Sequence, residues 1–171
     1  MERITYPDLM LAVSLSARGF AYVFFEGSET PFDWGVVEIK GKEKNQRTGK
    51  QVEKLLRCYR PHALILEDLR PKAAKRPDRT KKLSLHLQHL AHCEGIDVAI
   101  YDRAAIRRAF APLGARTKVE IADAIALAVP AFGHRLPPVR RLWMNEDPRQ
   151  MLFDAAALGL THAVGPTGPD P

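Results

Sequence analysis

The chain has 171 residues, of which 46% are hydrophobic and 27% are charged, and its formal net charge is +6 at pH 7. These proportions are ordinary for a soluble globular protein, and the length fits one domain with a full hydrophobic core. No apolar run approaches the ~20 residues of a membrane helix, which argues against a membrane protein, and the excess of basic residues favours an acidic partner, nucleic acid before a membrane surface.

The N-terminal residues MERITYPDL include acids and lack the apolar core of a secretion signal. Cys58 and Cys93 are the only cysteines, too few for a framework of several disulfide bridges. We therefore expect a cytoplasmic protein in a reducing environment.

Three apolar segments near the start of the chain predict a meander of strands. Residues 9–15 and 20–25 are rich in apolar, aromatic and β-branched types and are separated by a short Gly-containing break, which is typical of a hairpin. Residues 32–39 alternate in part and predict a third strand. Residues 42–59 then place apolar side chains at helical spacing among charges, which predicts an amphipathic helix.

The next segments alternate between strand and helix. A short apolar run over residues 63–67 predicts a strand that is buried on both faces. A helix from Thr80 or Lys81 to Gly95 follows, and then a strand over residues 96–101. This order gives parallel pairing through right-handed crossovers. Together with the meander it predicts an α/β protein with a mixed five-stranded sheet and helices on both faces.

The remaining third of the chain predicts helices. Residues 103–110 form a short one, and the sequence TKVE at 117–120 is a capping box that opens a helix ended by Pro130. Asp147, which is followed by proline, predicts the N-cap of a last helix that runs to about His162.

The strand over residues 63–67 leads into two carboxylates. Glu67 and Asp68 follow four apolar residues, and ligand sites in open α/β sheets lie at the carboxyl ends of strands. We take one of the two, preferably Glu67, as a candidate for a polar site that handles phosphate through a divalent metal. The alternative is a strand that ends at solvent with two exposed acids, and this stretch by itself favours that alternative.

Another carboxylate, Asp154, lies among small and apolar residues of the last predicted helix. A buried carboxylate needs a cation or hydrogen-bond donors, and a metal between Glu67 and Asp154 would supply one. Hard oxygen ligands favour Mg²⁺ or Mn²⁺. Asp147, two helical turns before Asp154, is a further candidate ligand, although its role as an N-cap is at least as well supported, and Glu146 is another candidate.

A strongly basic segment, residues 70–82, directly follows the candidate carboxylate. Lys and Arg contacts with phosphate supply sequence-independent affinity for nucleic acid. The segment's position favours a nucleic-acid interface, with a solvated charged loop as the alternative. Lys118 either contacts phosphate as well or merely occupies the first turn of its helix. The candidate nucleic-acid-binding residues are Arg70, Lys72, Lys75, Arg76, Arg79, Lys81, Lys82 and Lys118. Four arginines can extend this surface: Arg103, Arg107, Arg108 and Arg116.

Four segments form an ordered pattern: AVSLSARGFA at 12–21, LILE at 64–67, residues 101–119, and FDAAALGLTH at 153–162. Over about residues 9–162 the chain resembles the RuvC-type Holliday-junction resolvases of the RNase H-like nuclease superfamily. The resemblance implies an RNase H-like three-layer fold over residues 1–162. The Gly- and Pro-rich end of the chain, 163–171, predicts a flexible tail. The resemblance also implies a homodimer, and acids that bind two divalent metals for phosphodiester cleavage.

Two of the four acid positions match this family and two do not. Glu67 and Asp154 match, whereas Ser14 stands where the family has aspartate and Met151 stands where a fourth acid often lies. A serine hydroxyl is a weak, neutral ligand, so metal binding should be weakened. The sequence ADAIALA at 122–128 also resembles the family's last-helix motif. We prefer Asp154, because the other choice leaves about forty residues unexplained.

Two functions remain open from the sequence. The first is a divergent RuvC-like, Mg²⁺-dependent endodeoxyribonuclease that acts on branched or structured DNA. The second is a catalytically degenerate RNase H-like module that binds nucleic acid or protein, which the loss of the first acid favours.

Overall fold

A computed structural model describes residues 8–28, 30–70, 76–138 and 146–165. The five strands are β1 Leu9–Ser16, β2 Gly19–Glu26, β3 Thr30–Glu38, β4 Ala63–Glu67 and β5 Asp97–Tyr101. The five α-helices are α1 Lys44–Tyr59, α2 Asp78–Cys93, α3 Arg103–Phe110, α4 Lys118–Ala128 and α5 Gln150–Val164. Two short 3₁₀ segments, Ala111–Leu113 and Pro130–Arg135, follow α3 and α4.

The strands form one mixed sheet in the order β3-β2-β1-β4-β5. The first three pair antiparallel as the predicted meander, and β4 pairs parallel to both β1 and β5. The tight β1–β2 connection depends on Gly19, because a Cβ at this position would lie 1.9 Å from the carbonyl oxygen of Val37 on β3.

Each face of the sheet has its own hydrophobic core, and the alternation of side chains along the strands assigns residues to one or the other. Met10 and Ala12 of β1 face the core that includes α5, whereas Leu9, Leu11 and Val13 face the core that includes α1 and α2. Helix α5 packs directly on β1, β2 and β4, and α3 and α4 pack on α5. The predicted mixed five-stranded sheet with helices on both faces is therefore confirmed.

Some helix ends differ from those that the sequence predicts. Helix α2 begins at Asp78, ahead of Thr80, and α5 begins at Gln150 rather than at Asp147. The predicted N-cap at Asp147 is wrong by two residues, because the N-cap of α5 is Arg149. Asp147 instead caps the turn that precedes the helix, where its carboxylate accepts from the Arg149 backbone N–H at 2.9 Å and from the Arg149 guanidinium. In the described part of the chain, no helix is long and apolar enough to cross a bilayer.

Candidate functional site

The carboxyl ends of β1 and β4 place Ser14 and Glu67 side by side. The parallel register pairs Val13 with Leu66, and one further step brings Ser14 level with Glu67. Because Ala63 and Ile65 face the core of α5, strand alternation turns Glu67 to that same face and Asp68 to the other. Ser14, Glu67 and α5 therefore share one layer of the protein.

Glu67 already has a cationic partner. The Arg76 guanidinium donates to Glu67 Oε2 at 3.3 Å, and only 15% of the Glu67 side chain is exposed. Asp68 instead accepts two bonds of 2.9 Å from the Arg70 guanidinium, which holds the pKa of Asp68 below its usual range. Asp68 thus acts as an anchor for the chain that leaves β4. Strand alternation assigns Glu67 to the α5 face, while its ionic partner is Arg76, ahead of α2, and it lines two cavities together with Ser84 of α2.

Asp154 lies in the second turn of α5 and has two polar partners. Gln150 Nε2 donates to its Oδ1 at 3.1 Å, and the Lys118 ammonium lies 3.5 Å from its Oδ2. The same ammonium donates to Glu146 at 3.2 Å. Lys118 reaches this position because Thr117 caps α4 through its hydroxyl, which accepts from the Glu120 backbone N–H.

The other two positions of the expected acid set are not acidic. Ser14 and Met151 are both buried, at 3% and 6% exposure. The structure gives no sign that Asp147 compensates, because its carboxylate is paired with Arg149 at 2.8 Å, and this pairing lowers the pKa of Asp147. Glu146, a further candidate ligand in the sequence analysis, contacts the same Lys118 ammonium as Asp154 does.

A partly buried hydrogen bond joins β5 to α5. Tyr101 is the cross-strand neighbour of Glu67, and its hydroxyl lies 2.7 Å from His162 Nδ1. Burial lowers the pKa of His162, with a smaller contribution from His62. No local sequence pattern indicates that Tyr101 and His162 are in contact, because the two residues lie 61 positions apart.

The described candidate basic residues fall into two groups, one near the start of α2 and one between α3 and α4. Arg79 donates to Asn45 at 2.7 Å and so stabilises the start of α2, while Lys81 is half-buried and Lys82 is exposed. Lys72 and Lys75 lie outside the described residues. Between α3 and α4, a cavity of about 260 Å³ is lined by four basic side chains, which we call the arginine cleft: Arg103, Arg107, Arg116 and Lys118.

The donor set fits one hydrated divalent ion better than two. Within the described ranges, no group of three or more His, Cys, Asp or Glu side chains is placed to hold a metal. Mg²⁺ commonly keeps several waters and binds through one or two carboxylates plus a substrate phosphate. Glu67 and Asp154 supply two hard oxygen donors in one layer, whereas Met151 supplies none and Ser14 only a weak one.

The sequence matches no protein-family model and no curated protein. Three solved structures are similar in fold. RuvC of Thermus thermophilus has 20% identity and a TM-score of 0.67, with 91% of this chain and 93% of that chain covered. T. thermophilus RuvC in complex with Holliday junction substrate has 20% identity and a TM-score of 0.62, covering 91% and 92%. The yeast mitochondrial Holliday junction resolvase has 14% identity and a TM-score of 0.59, covering 95% and 81%.

These likenesses extend along almost the whole of the chain and the whole order of its elements. The RNase H-like α/β fold that the sequence resemblance implies is therefore confirmed. In this fold, α5 carries Asp154 and lies directly on β1 and β2. The competing motif at 122–128 belongs to α4, which packs on α5.

Proposed function

We propose that this chain is a divergent RuvC-like endonuclease that hydrolyses phosphodiester bonds in branched DNA. One observation carries the proposal: a resolvase-like fold over 91% of the chain sets Glu67 and the Asp154-bearing helix α5 on the same face of the sheet. One of the similar structures is bound to a Holliday junction, which is the kind of substrate we propose for this chain.

The proposed reaction needs a divalent ion, Mg²⁺ or Mn²⁺, that Glu67 and Asp154 would hold. When bound, the ion supplies Lewis-acid polarisation of the phosphate. Asp147 is a further candidate ligand, and its pair with Arg149 would have to open first. The protein's own groups would bind and orient the DNA backbone: Arg76, which pairs with Glu67, and the basic side chains of the arginine cleft.

Cleavage of a labelled four-way junction tests the proposal. We expect nicking in Mg²⁺ or Mn²⁺, none in EDTA, and little on a linear duplex of the same length. Loss of a group that only hydrogen-bonds to a metal ligand costs about 10–100-fold at metal sites, so Glu67→Gln, which removes a proposed ligand itself, should slow nicking by at least about 100-fold. Glu38→Gln, at the end of β3, is the matched control and should leave the rate unchanged. Nicking that survives Glu67→Gln would contradict the assignment of the site.

A second candidate is a DNA-binding module without nuclease activity. Ser14 and Met151 at two of the acid positions, and the pairing of Glu67 with Arg76, favour it. The same experiment separates the two candidates, because this one predicts that the junction is bound equally well in EDTA and in Mg²⁺ and is never nicked. Failure to bind the junction under any condition would contradict both and would favour a protein-interaction module.

We also propose that the protein acts as a homodimer in the cytoplasm. A two-fold dimer presents two identical sites, which suits a four-way junction with its two pairs of equivalent strands. The exposed thiols of Cys58 and Cys93 are free, as expected in a reducing compartment. A monomer mass by light scattering, with and without junction, would contradict the dimer.

A further inference from the structure

We propose that Lys118 is an exchangeable counter-ion that blocks Asp154 until DNA binds. In the DNA-free protein its ammonium neutralises Asp154 and Glu146, and a backbone phosphate in the adjacent arginine cleft draws it away and leaves Asp154 free for a divalent cation. The inference rests on the proposed function, because it takes Asp154 as a metal ligand.

The contacts of Lys118 are those of a weakly held charge. Its Nζ lies 3.2 Å and 3.4 Å from the two carboxylate oxygens of Glu146 and 3.5 Å from Asp154 Oδ2. Charge-assisted hydrogen bonds of the strong kind are shorter, about 2.7–2.9 Å. The Lys118 side chain is 32% exposed, so it can turn without unpacking a core, whereas Asp154 is 17% exposed and keeps Gln150 as a second partner.

Lys118 also stands at the boundary of two cavities of opposite charge. On one side, a cavity of about 260 Å³ is lined by Lys118 together with Asp123, Glu146 and Asp147. On the other side, the arginine cleft, of about the same volume, is lined by Lys118 together with Arg103, Arg107 and Arg116. Rotation about its flexible stem therefore exchanges carboxylate partners for a phosphate bound between arginines.

A phosphate and a divalent cation consequently favour each other's binding. The phosphate competes with Asp154 for the ammonium, and the cation competes with the ammonium for Asp154. Coupling of this kind is reciprocal: whatever factor DNA adds to the cation affinity, the cation adds to the DNA affinity. A substitution that removes the charge of Asp154 should therefore raise the affinity for the junction, even when no metal is present.

The first test measures Mn²⁺ binding to the DNA-free protein by electron paramagnetic resonance. Lys118→Gln removes the blocking charge, and we expect Mn²⁺ to bind about tenfold more tightly than to the wild type. Lys50→Gln, an exposed change on α1 with the same loss of charge, is the matched control and should not differ from the wild type. The double variant Lys118→Gln/Asp154→Asn should lose the gain. Equal or weaker Mn²⁺ binding by Lys118→Gln, with the fold intact by circular dichroism, would overturn the proposal.

The second test measures junction affinity in EDTA by fluorescence anisotropy, so that no metal and no cleavage are involved. Asp154→Asn removes one of the two carboxylates that hold Lys118, so it should tighten junction binding about threefold or more. Asp147→Asn, whose carboxylate is paired with Arg149 instead, should tighten it less. The gain should vanish in Lys118→Gln/Asp154→Asn, and an equal gain with and without Lys118 would overturn the exchange. If no variant binds the junction, the proposed function fails, and the Mn²⁺ measurement still judges the blocking role of Lys118.

Discussion

The individual acids of the candidate site are characterised by their ion pairs with basic side chains. Each acid at the carboxyl end of the sheet and at the start of α5 has a basic partner from its own chain, and most of the pairs are partly exposed. Partly exposed pairs contribute little to stability, typically 0.2–1 kcal/mol, so such pairs can be broken by a charged ligand at small cost. The pairs are Glu67–Arg76, Asp68–Arg70, Asp147–Arg149 and Asp154–Lys118.

The bond between Tyr101 and His162 predicts a pH-dependent stability. Burial lowers the pKa of His162 below its ordinary value of 6.5, so the folded protein holds fewer protons on this ring than the unfolded chain does. Stability is therefore complete above pH 6.5 and declines as the pH falls through that value toward the lower pKa of the folded state. We expect the melting temperature to drop between pH 7 and pH 5, and His162→Gln to make the drop shallower.

Thermal melts at matched ionic strength check this expectation. His134→Gln is the matched control, because it makes the same substitution at an exposed position. His62 makes the smaller contribution to the lowered pKa of His162, so His62→Gln should change the slope in the same direction as His162→Gln but less. Identical slopes for wild type and His162→Gln would show that this ring does not titrate differently on unfolding.

Among the elements, α5 has the closest contact with the sheet, and Gly159 makes this contact possible. A Cβ on Gly159 would lie 2.6 Å from Phe25 Cε2 on β2 and 3.5 Å from the Cβ of Ala12 on β1. Phe25 and Ala12 are both fully buried, so neither can move aside freely. The small residues of this helix bring it close to β1 and β2, and that approach sets the height of Asp154 above the sheet.

We expect Gly159→Ala to destabilise the protein. Overpacking of a core costs about 1–3 kcal/mol, and the 2.6 Å approach to buried Phe25 places this variant in the upper part of that range, about 2–3 kcal/mol. The better helix propensity of Ala returns about 1 kcal/mol, so the free energy of unfolding should fall by about 1–2 kcal/mol. Gly133→Ala is the control, since nothing lies within 4 Å of its added Cβ, and it should change stability by less than about 0.5 kcal/mol. Urea denaturation measures both, and a Gly159→Ala variant as stable as the wild type would contradict the close packing.

Elements with a strong hydrophobic period could be predicted from the sequence, and the contacts between distant side chains could not. The apolar runs of β1, β2 and β4, the helical spacing in α1 and the capping box of α4 predicted these elements to within a few residues. The start of α5 was misplaced by two residues because Asp147 caps the turn at 148–149 rather than the helix that follows it. The pairing of Lys118 with Asp154 spans 36 positions and depends on how α4 packs on α5.

The whole molecule combines an acidic pair with basic surroundings, in keeping with its net charge of +6. Arg76 pairs with Glu67, and Lys118, which lines the arginine cleft, pairs with Asp154. Under the proposed function, the phosphates of a polyanion that contacts both cations would compete with the carboxylates that these cations now neutralise. Attraction of DNA and access to Glu67 and Asp154 would then depend on the same side chains.

Salt dependence of junction binding tests this arrangement without any metal. Each phosphate neutralised by Lys or Arg releases counter-ions, so log K should fall linearly with log salt, with a slope of about −0.9 for each contact. Arg107→Gln, which neutralises one wall of the arginine cleft, should weaken binding and make the slope shallower by about one. Lys50→Gln on α1 removes the same charge far from the cleft and should leave the slope unaltered. A slope near zero for the wild type would mean that the positive surface does not meet the DNA backbone, and equal slopes for the two variants would mean that the contact lies elsewhere than between α3 and α4.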